Sequence, residues 1–105
     1  MVKEINAGNF EEEVLKSTEP VVVDMYADWC GPCKMMAPVV DELSENMAGV
    51  RFCKLNVDQA PTVAAQYRVM SIPTFLFFKN GALAGTVVGG REPEDLENEI
   101  RQALL

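Results

Sequence analysis

The most constraining feature of this sequence is a strand-forming run that leads, within a few residues, into a closely spaced cysteine pair. Val21-Val22-Val23-Asp24-Met25-Tyr26 is rich in β-branched residues and has the length of one strand. Such a continuous run predicts burial on both faces, and therefore a central place in a sheet. It is followed by Ala27-Asp28-Trp29-Cys30-Gly31-Pro32-Cys33. Met36, Val40, Leu43 and Met47 then recur at helical spacing, so a helix is expected to begin near Gly31 or Pro32 and to end at Gly49. Pro32 suits its first turn, where a missing N–H costs nothing, whereas Pro38 in its interior predicts a kink.

The remaining elements follow from the same signals. Val2 to Asn6 alternates apolar and polar residues and reads as a short edge strand. Asn9 and Glu12 have capping-box spacing and predict a helix from Phe10 to about Ser17. Val50 to Val57 reads as a strand and Pro61 to Tyr67 as a short helix. Thr74 to Phe78 and Leu83 to Val88 flank Asn80-Gly81, a hairpin signal. A last helix starts at Pro93, with Glu94 and Asp95 at its positive end, Leu96, Ile100 and Leu104 facing inward, and Glu97 paired with Arg101. The order β-α-β-α-β-α-β-β-α predicts an α/β fold with a mixed sheet: parallel pairing across the helices, antiparallel pairing at the hairpin.

With 105 residues, 49% of them apolar, the chain is expected to form one domain over residues 1–105 around one core. No apolar run is long enough for a transmembrane helix, and the charged first twenty residues do not read as a secretory signal. A net charge of −7 without a basic cluster argues against nucleic-acid binding.

Three cysteines and no histidine narrow the chemistry. An odd count without a signal peptide argues against a structural disulfide framework and for a reducing compartment, the cytoplasm by default. Structural zinc or an iron–sulfur cluster needs four ligands, and only Cys53 remains outside the pair; a metal bridging two chains is the residual metal reading. Cys53, in mid-strand, is expected to be a buried, inert thiol. Cys30, at a strand-to-helix junction, meets the unpaired N–H groups of a helix N-terminus, which favour its thiolate. Cys33, one turn on, can close a disulfide with it. In the resulting cycle Cys30 attacks a partner disulfide as nucleophile, and Cys33 resolves the mixed disulfide.

Trp29-Cys30-Gly31-Pro32-Cys33-Lys34 resembles the active-site signature of the thioredoxin family. The resemblance spans the chain: Val23-Asp24, Pro38, Lys54-Leu55-Asn56-Val57-Asp58, Ile72-Pro73-Thr74, Lys79-Asn80-Gly81 and Val88-Gly89 recur in family order. It implies the thioredoxin fold, a central mixed five-stranded β-sheet flanked by four α-helices. It also implies reduction of protein disulfides without a bound cofactor or metal, by a monomer. A thioredoxin reductase, either flavin-dependent with NADPH or ferredoxin-dependent, would recharge it. By this resemblance Asp24 is a buried acid that transfers protons for Cys33, and Lys54 is its charge partner. Pro73 would follow a cis peptide facing the cysteines, and Trp29, Ile72, Pro73 and Gly89 would form an apolar docking surface around Cys30. Gly31 and Pro32 complete the motif. Tyr26 and Met25 depart from the tryptophan and phenylalanine frequent in relatives, and both are apolar enough to pack.

Two other functions compete with disulfide reduction. Oxidase or isomerase relatives usually carry His between the cysteines, where Pro32 stands here. A non-catalytic docking subunit would keep its activity after both cysteines were replaced by serine.

Overall fold

A computed structural model describes residues 1–105. Five strands, β1 (Val2–Ile5), β2 (Val21–Tyr26), β3 (Arg51–Asn56), β4 (Thr74–Lys79) and β5 (Ala82–Val88), form one sheet in the order β1-β3-β2-β4-β5. The β1–β3 and β2–β3 pairs are parallel, and β4 runs antiparallel to both β2 and β5. The valine-rich strand β2 therefore lies at the centre, and all its residues except Tyr26 are buried. The α-helices are α1 (Gly31–Asn46), α2 (Pro61–Gln66) and α3 (Pro93–Leu104).

Alternation along the strands divides the core into two halves. On one face Val22, Phe52, Phe75, Phe77 and Val87 pack against Met36, Val40 and Leu43 of α1 and Leu96, Ile100 and Leu104 of α3. On the other, Val21, Val23, Met25, Leu55, Leu76 and Phe78 pack against Phe10, Val14, Val63 and Ala64. Asp24 is offset by two residues from Val22 and so points to the α1 side, among apolar neighbours.

Four helical segments are present, but the first is not the α-helix expected from Phe10 to Ser17. Glu11–Leu15 is wound as a π-helix, closed by a bond from the Lys16 N–H to the Glu11 carbonyl, at 3.0 Å. The expected capping box is also absent. The Asn9 side chain accepts the Asn6 N–H at 2.8 Å and the Asn6 side chain accepts the Asn9 N–H at 3.0 Å, while Glu12 pairs with Lys16. Glu13 explains part of this arrangement: its carboxylate bridges Lys3 on β1 and Arg51 on β3, anchoring the segment to the sheet.

Helix α1 runs unbroken through Pro38 and ends at Asn46, earlier than the glycine-marked boundary. Gly49, at φ 86°, instead turns the chain into β3. The Asn80-Gly81 hairpin forms with φ of 53° and 78°, the left-handed pair that a type I′ turn needs. A Cβ on Gly81 would lie 2.8 Å from the Leu15 carbonyl oxygen, so this turn is also held close to the π-helical segment.

Candidate active site

Cys30 and Cys33 meet where β2 feeds α1. Cys30 is the N-cap of α1, in extended conformation at φ −89° and ψ 109°. Its carbonyl accepts the Lys34 N–H, and its sulfur accepts the Cys33 N–H at 3.2 Å. Gly31 and Pro32 occupy the first turn, where proline withdraws no needed donor. The two sulfurs are joined as a disulfide, with the Cα atoms 5.3 Å apart. When that bond opens, the same N–H group and the positive helix end face any charge left on Cys30.

Around the pair the chain brings together residues far apart in sequence. The Ile72–Pro73 peptide is cis, and the Ile72 carbonyl oxygen lies 3.8 Å from Cys30 Sγ. Thr74 Oγ1 donates to the Ser71 carbonyl at 2.6 Å, and the Gly89 N–H donates to the Pro73 carbonyl at 2.8 Å. Gly89, at φ 92°, sits in the left-handed region that favours glycine. Trp29 is 70% exposed, and its Nε1–H donates to Asp58 at 2.8 Å. Beside it lies a hollow of about 340 Å³, lined by Trp29, Val57, Val69, Met70, Ser71 and Ile72.

A second cavity, of about 370 Å³, opens on the other side of the pair and is lined by Asp24, Tyr26, Ala27, Asp28, Cys33 and Lys54, among others. Asp24 is 5% exposed, and its Oδ1 has no hydrogen-bond partner. Burial pushes its carboxyl up to about 7; Lys54 pulls it down, while Glu4 and Asp41 push it further up. Lys54 stands opposite Asp24 in the β2–β3 register, yet its ammonium pairs with Glu4, at 3.9 Å. Cys53 lies apart from this site, fully buried on the opposite face, where burial raises its thiol pKa. No group of three His, Cys, Asp or Glu side chains is arranged to hold a metal ion.

Cys30, Cys33, Asp24, Lys54, Trp29, Ile72, Pro73 and Gly89, the residues the sequence suggests for the site, all lie in this region. No site role was expected of Asp58, Tyr26 or Glu4. Asp58 meets Trp29 across 29 positions, with no local signal. The Tyr26 hydroxyl donates to Glu4 at 2.7 Å, a contact between strands that are not neighbours in the sheet.

The family model described as Thioredoxin matches residues 1–102. The chain belongs to the thioredoxin family. It is 47% identical over 104 residues to "Thioredoxin" of Haemophilus influenzae, covering 98% of this chain and 97% of that one. It is 39% identical over 105 residues to "Thioredoxin" of Rickettsia felis, covering 99% and 100%. To "Thioredoxin M-type, chloroplastic" of spinach it is 45% identical over 104 residues, 98% of this chain but only 58% of the relative's length. Membership of the thioredoxin family and a cysteine pair closed as a disulfide establish thiol–disulfide exchange as the chemistry, and the protein as a disulfide oxidoreductase.

Proposed function

We propose that the protein is a protein-disulfide reductase, an electron donor to disulfide-containing proteins and thiol-dependent enzymes in cell redox homeostasis. The observation that carries this reading is the position of Cys30 as N-cap of α1, with the Cys33 N–H on its sulfur. Cys30 as thiolate attacks a substrate disulfide, forming one S–S bond and releasing one substrate thiolate. Cys33, deprotonated, then attacks Cys30 Sγ, which closes the internal disulfide and frees the second substrate sulfur. Asp24 serves the second step: a carboxyl titrating near 7 can accept the Cys33 proton at neutral pH. The cavity it shares with Cys33 has room and polarity for water between them.

Trp29, Ile72, Pro73 and Gly89 serve as the docking surface for the substrate. Ile72 supports this role because its N–H is used in no backbone hydrogen bond of the chain and its carbonyl lies beside the reactive sulfur. An extended substrate strand can therefore pair with this backbone next to Cys30. A thioredoxin reductase, flavin-dependent with NADPH or ferredoxin-dependent, would restore the dithiol, and the residence would be cytoplasmic. Both reductase types stay in the proposal because the relatives include bacterial and chloroplastic thioredoxins. No helix is long and apolar enough to cross a membrane.

Turbidimetric reduction of insulin by dithiothreitol is the test. The protein should accelerate precipitation, and Cys30→Ser should abolish the acceleration. No acceleration over dithiothreitol alone would overturn the reading.

A further inference from the structure

Three strands place three charges in one row. Glu4 on β1 is the register partner of Lys54 on β3, and Lys54 is the register partner of Asp24 on β2. In parallel pairing, register partners point to the same face, so one ammonium stands between two carboxylates. The carboxylates are not equivalent. Glu4 is half-exposed, whereas Asp24 is buried with one oxygen unpartnered. The ammonium lies with Glu4, at 3.9 Å, and 6.0 Å from the centre of the Tyr26 ring. The Tyr26 hydroxyl donates to the same Glu4 oxygen at 2.7 Å and so holds that carboxylate in place.

We propose that Glu4 is a positioning residue that draws Lys54 away from Asp24, leaving the buried carboxyl without an ion-pair partner of its own. The one other cation lining that cavity, Lys34 of α1, makes no ion pair with Asp24. Glu4 itself and Asp41 from α1 add repulsion, and Asp28 lines the same cavity with Cys33. On β4 the register partner of Asp24 is Phe75, which carries no charge. With Glu4 neutral, Lys54 would be drawn toward the only remaining carboxylate in its row, and proton affinity at Asp24 would fall. The effect on catalysis rests on the reading of Asp24 as proton acceptor for Cys33; the effect on Asp24 itself does not.

The test is titration of the Asp24 carboxyl by ¹³C NMR in the oxidised protein, assigned with Asp24→Asn, in wild type, Glu4→Gln, Lys54→Met and the double variant. Glu4 lies on the exposed edge strand, so the fold should survive its substitution. Glu4→Gln should lower the midpoint by roughly half to one pH unit, as expected for a charge partner gained at partial exposure. In the Lys54→Met background most of that shift should disappear. No shift, or an upward one, would overturn the proposal, as would an equal shift with and without Lys54, which would mean that Glu4 acts directly. The pH profile of insulin reduction separates the two readings: a midpoint that moves at Asp24 while the rate profile stays fixed removes the proton-acceptor role but leaves the Glu4 assignment standing.

Discussion

The Cys33 N–H points at the Cys30 sulfur from 3.2 Å, so the backbone of Cys33 is a hydrogen-bond donor to the side chain of Cys30. This contact exists because Cys30 is the N-cap and Cys33 lies in the first turn, where N–H groups have no intrahelical acceptor. The spacing of the motif thus does two things at once. It sets the two sulfurs within bonding reach, and it aims an orphan donor at the one proposed to carry charge.

The division of labour between the cysteines can be read from trapped intermediates. Cys33→Ser should retain the attacking thiol and lose the resolving one, so mixed disulfides with substrate proteins should accumulate and turnover should cease. Cys30→Ser should trap nothing. Non-reducing electrophoresis with mass spectrometry checks both, and adducts carried by Cys33 in the Cys30→Ser protein would reverse the assignment.

Asp24 imposes a pH-dependent cost on stability. Burial pushes its carboxyl up to about 7 in the folded protein from an ordinary 3.8, so between these values the folded state holds a proton that the unfolded state has already released. The cost is absent below the unfolded value, grows as pH rises between the two, and is complete above about 7. The gap corresponds to about 4 kcal/mol as an upper figure. Asp24→Asn in the oxidised protein should therefore gain up to that amount in denaturant unfolding at pH 8 and nothing at pH 3.5. Equal effects at both values would show that the carboxyl is not perturbed by burial.

Gly81 is fixed by two independent constraints. Its φ of 78° disfavours any side chain, and a Cβ would meet the Leu15 carbonyl at 2.8 Å, a backbone atom with little freedom to move. Gly81→Ala should lower stability by about 1–3 kcal/mol without changing the disulfide chemistry. Chemical denaturation and insulin reduction measure the two effects separately.

The legible parts of this molecule are those written in local pattern. The valine run announced β2 as central because only a strand covered on both faces tolerates so many consecutive apolar residues. Leu96, Ile100 and Leu104 announced the buried face of α3 by their spacing, and Asn80-Gly81 announced its turn. The first helical segment departs from its expected form because its capping signal is local but its winding is not. Asn9 found Asn6, and Glu13 was taken up by Lys3 and Arg51 on two different strands. The same limit applies at the site. Cys30, Cys33 and Asp24 stand within one strand–helix unit, whereas the partners of Trp29 and Lys54 depend on strand order and register. The roles proposed for Lys54, Pro73 and Gly89 rest on family resemblance, since an exposed lysine, a proline and a strand-end glycine have no chemistry of their own to announce.

Everything proposed for the reaction depends on Cys30 being ionised when it meets a substrate. Thiolate absorbance, followed through a pH titration of reduced Cys33→Ser protein and corrected with a Cys30→Ser/Cys33→Ser control, measures this directly. Cys53 is buried with a raised pKa and should contribute only at higher pH. The helix N-terminus should bring Cys30 clearly below the value of about 8.5 for an unperturbed thiol. A midpoint at or above that unperturbed value would contradict the account.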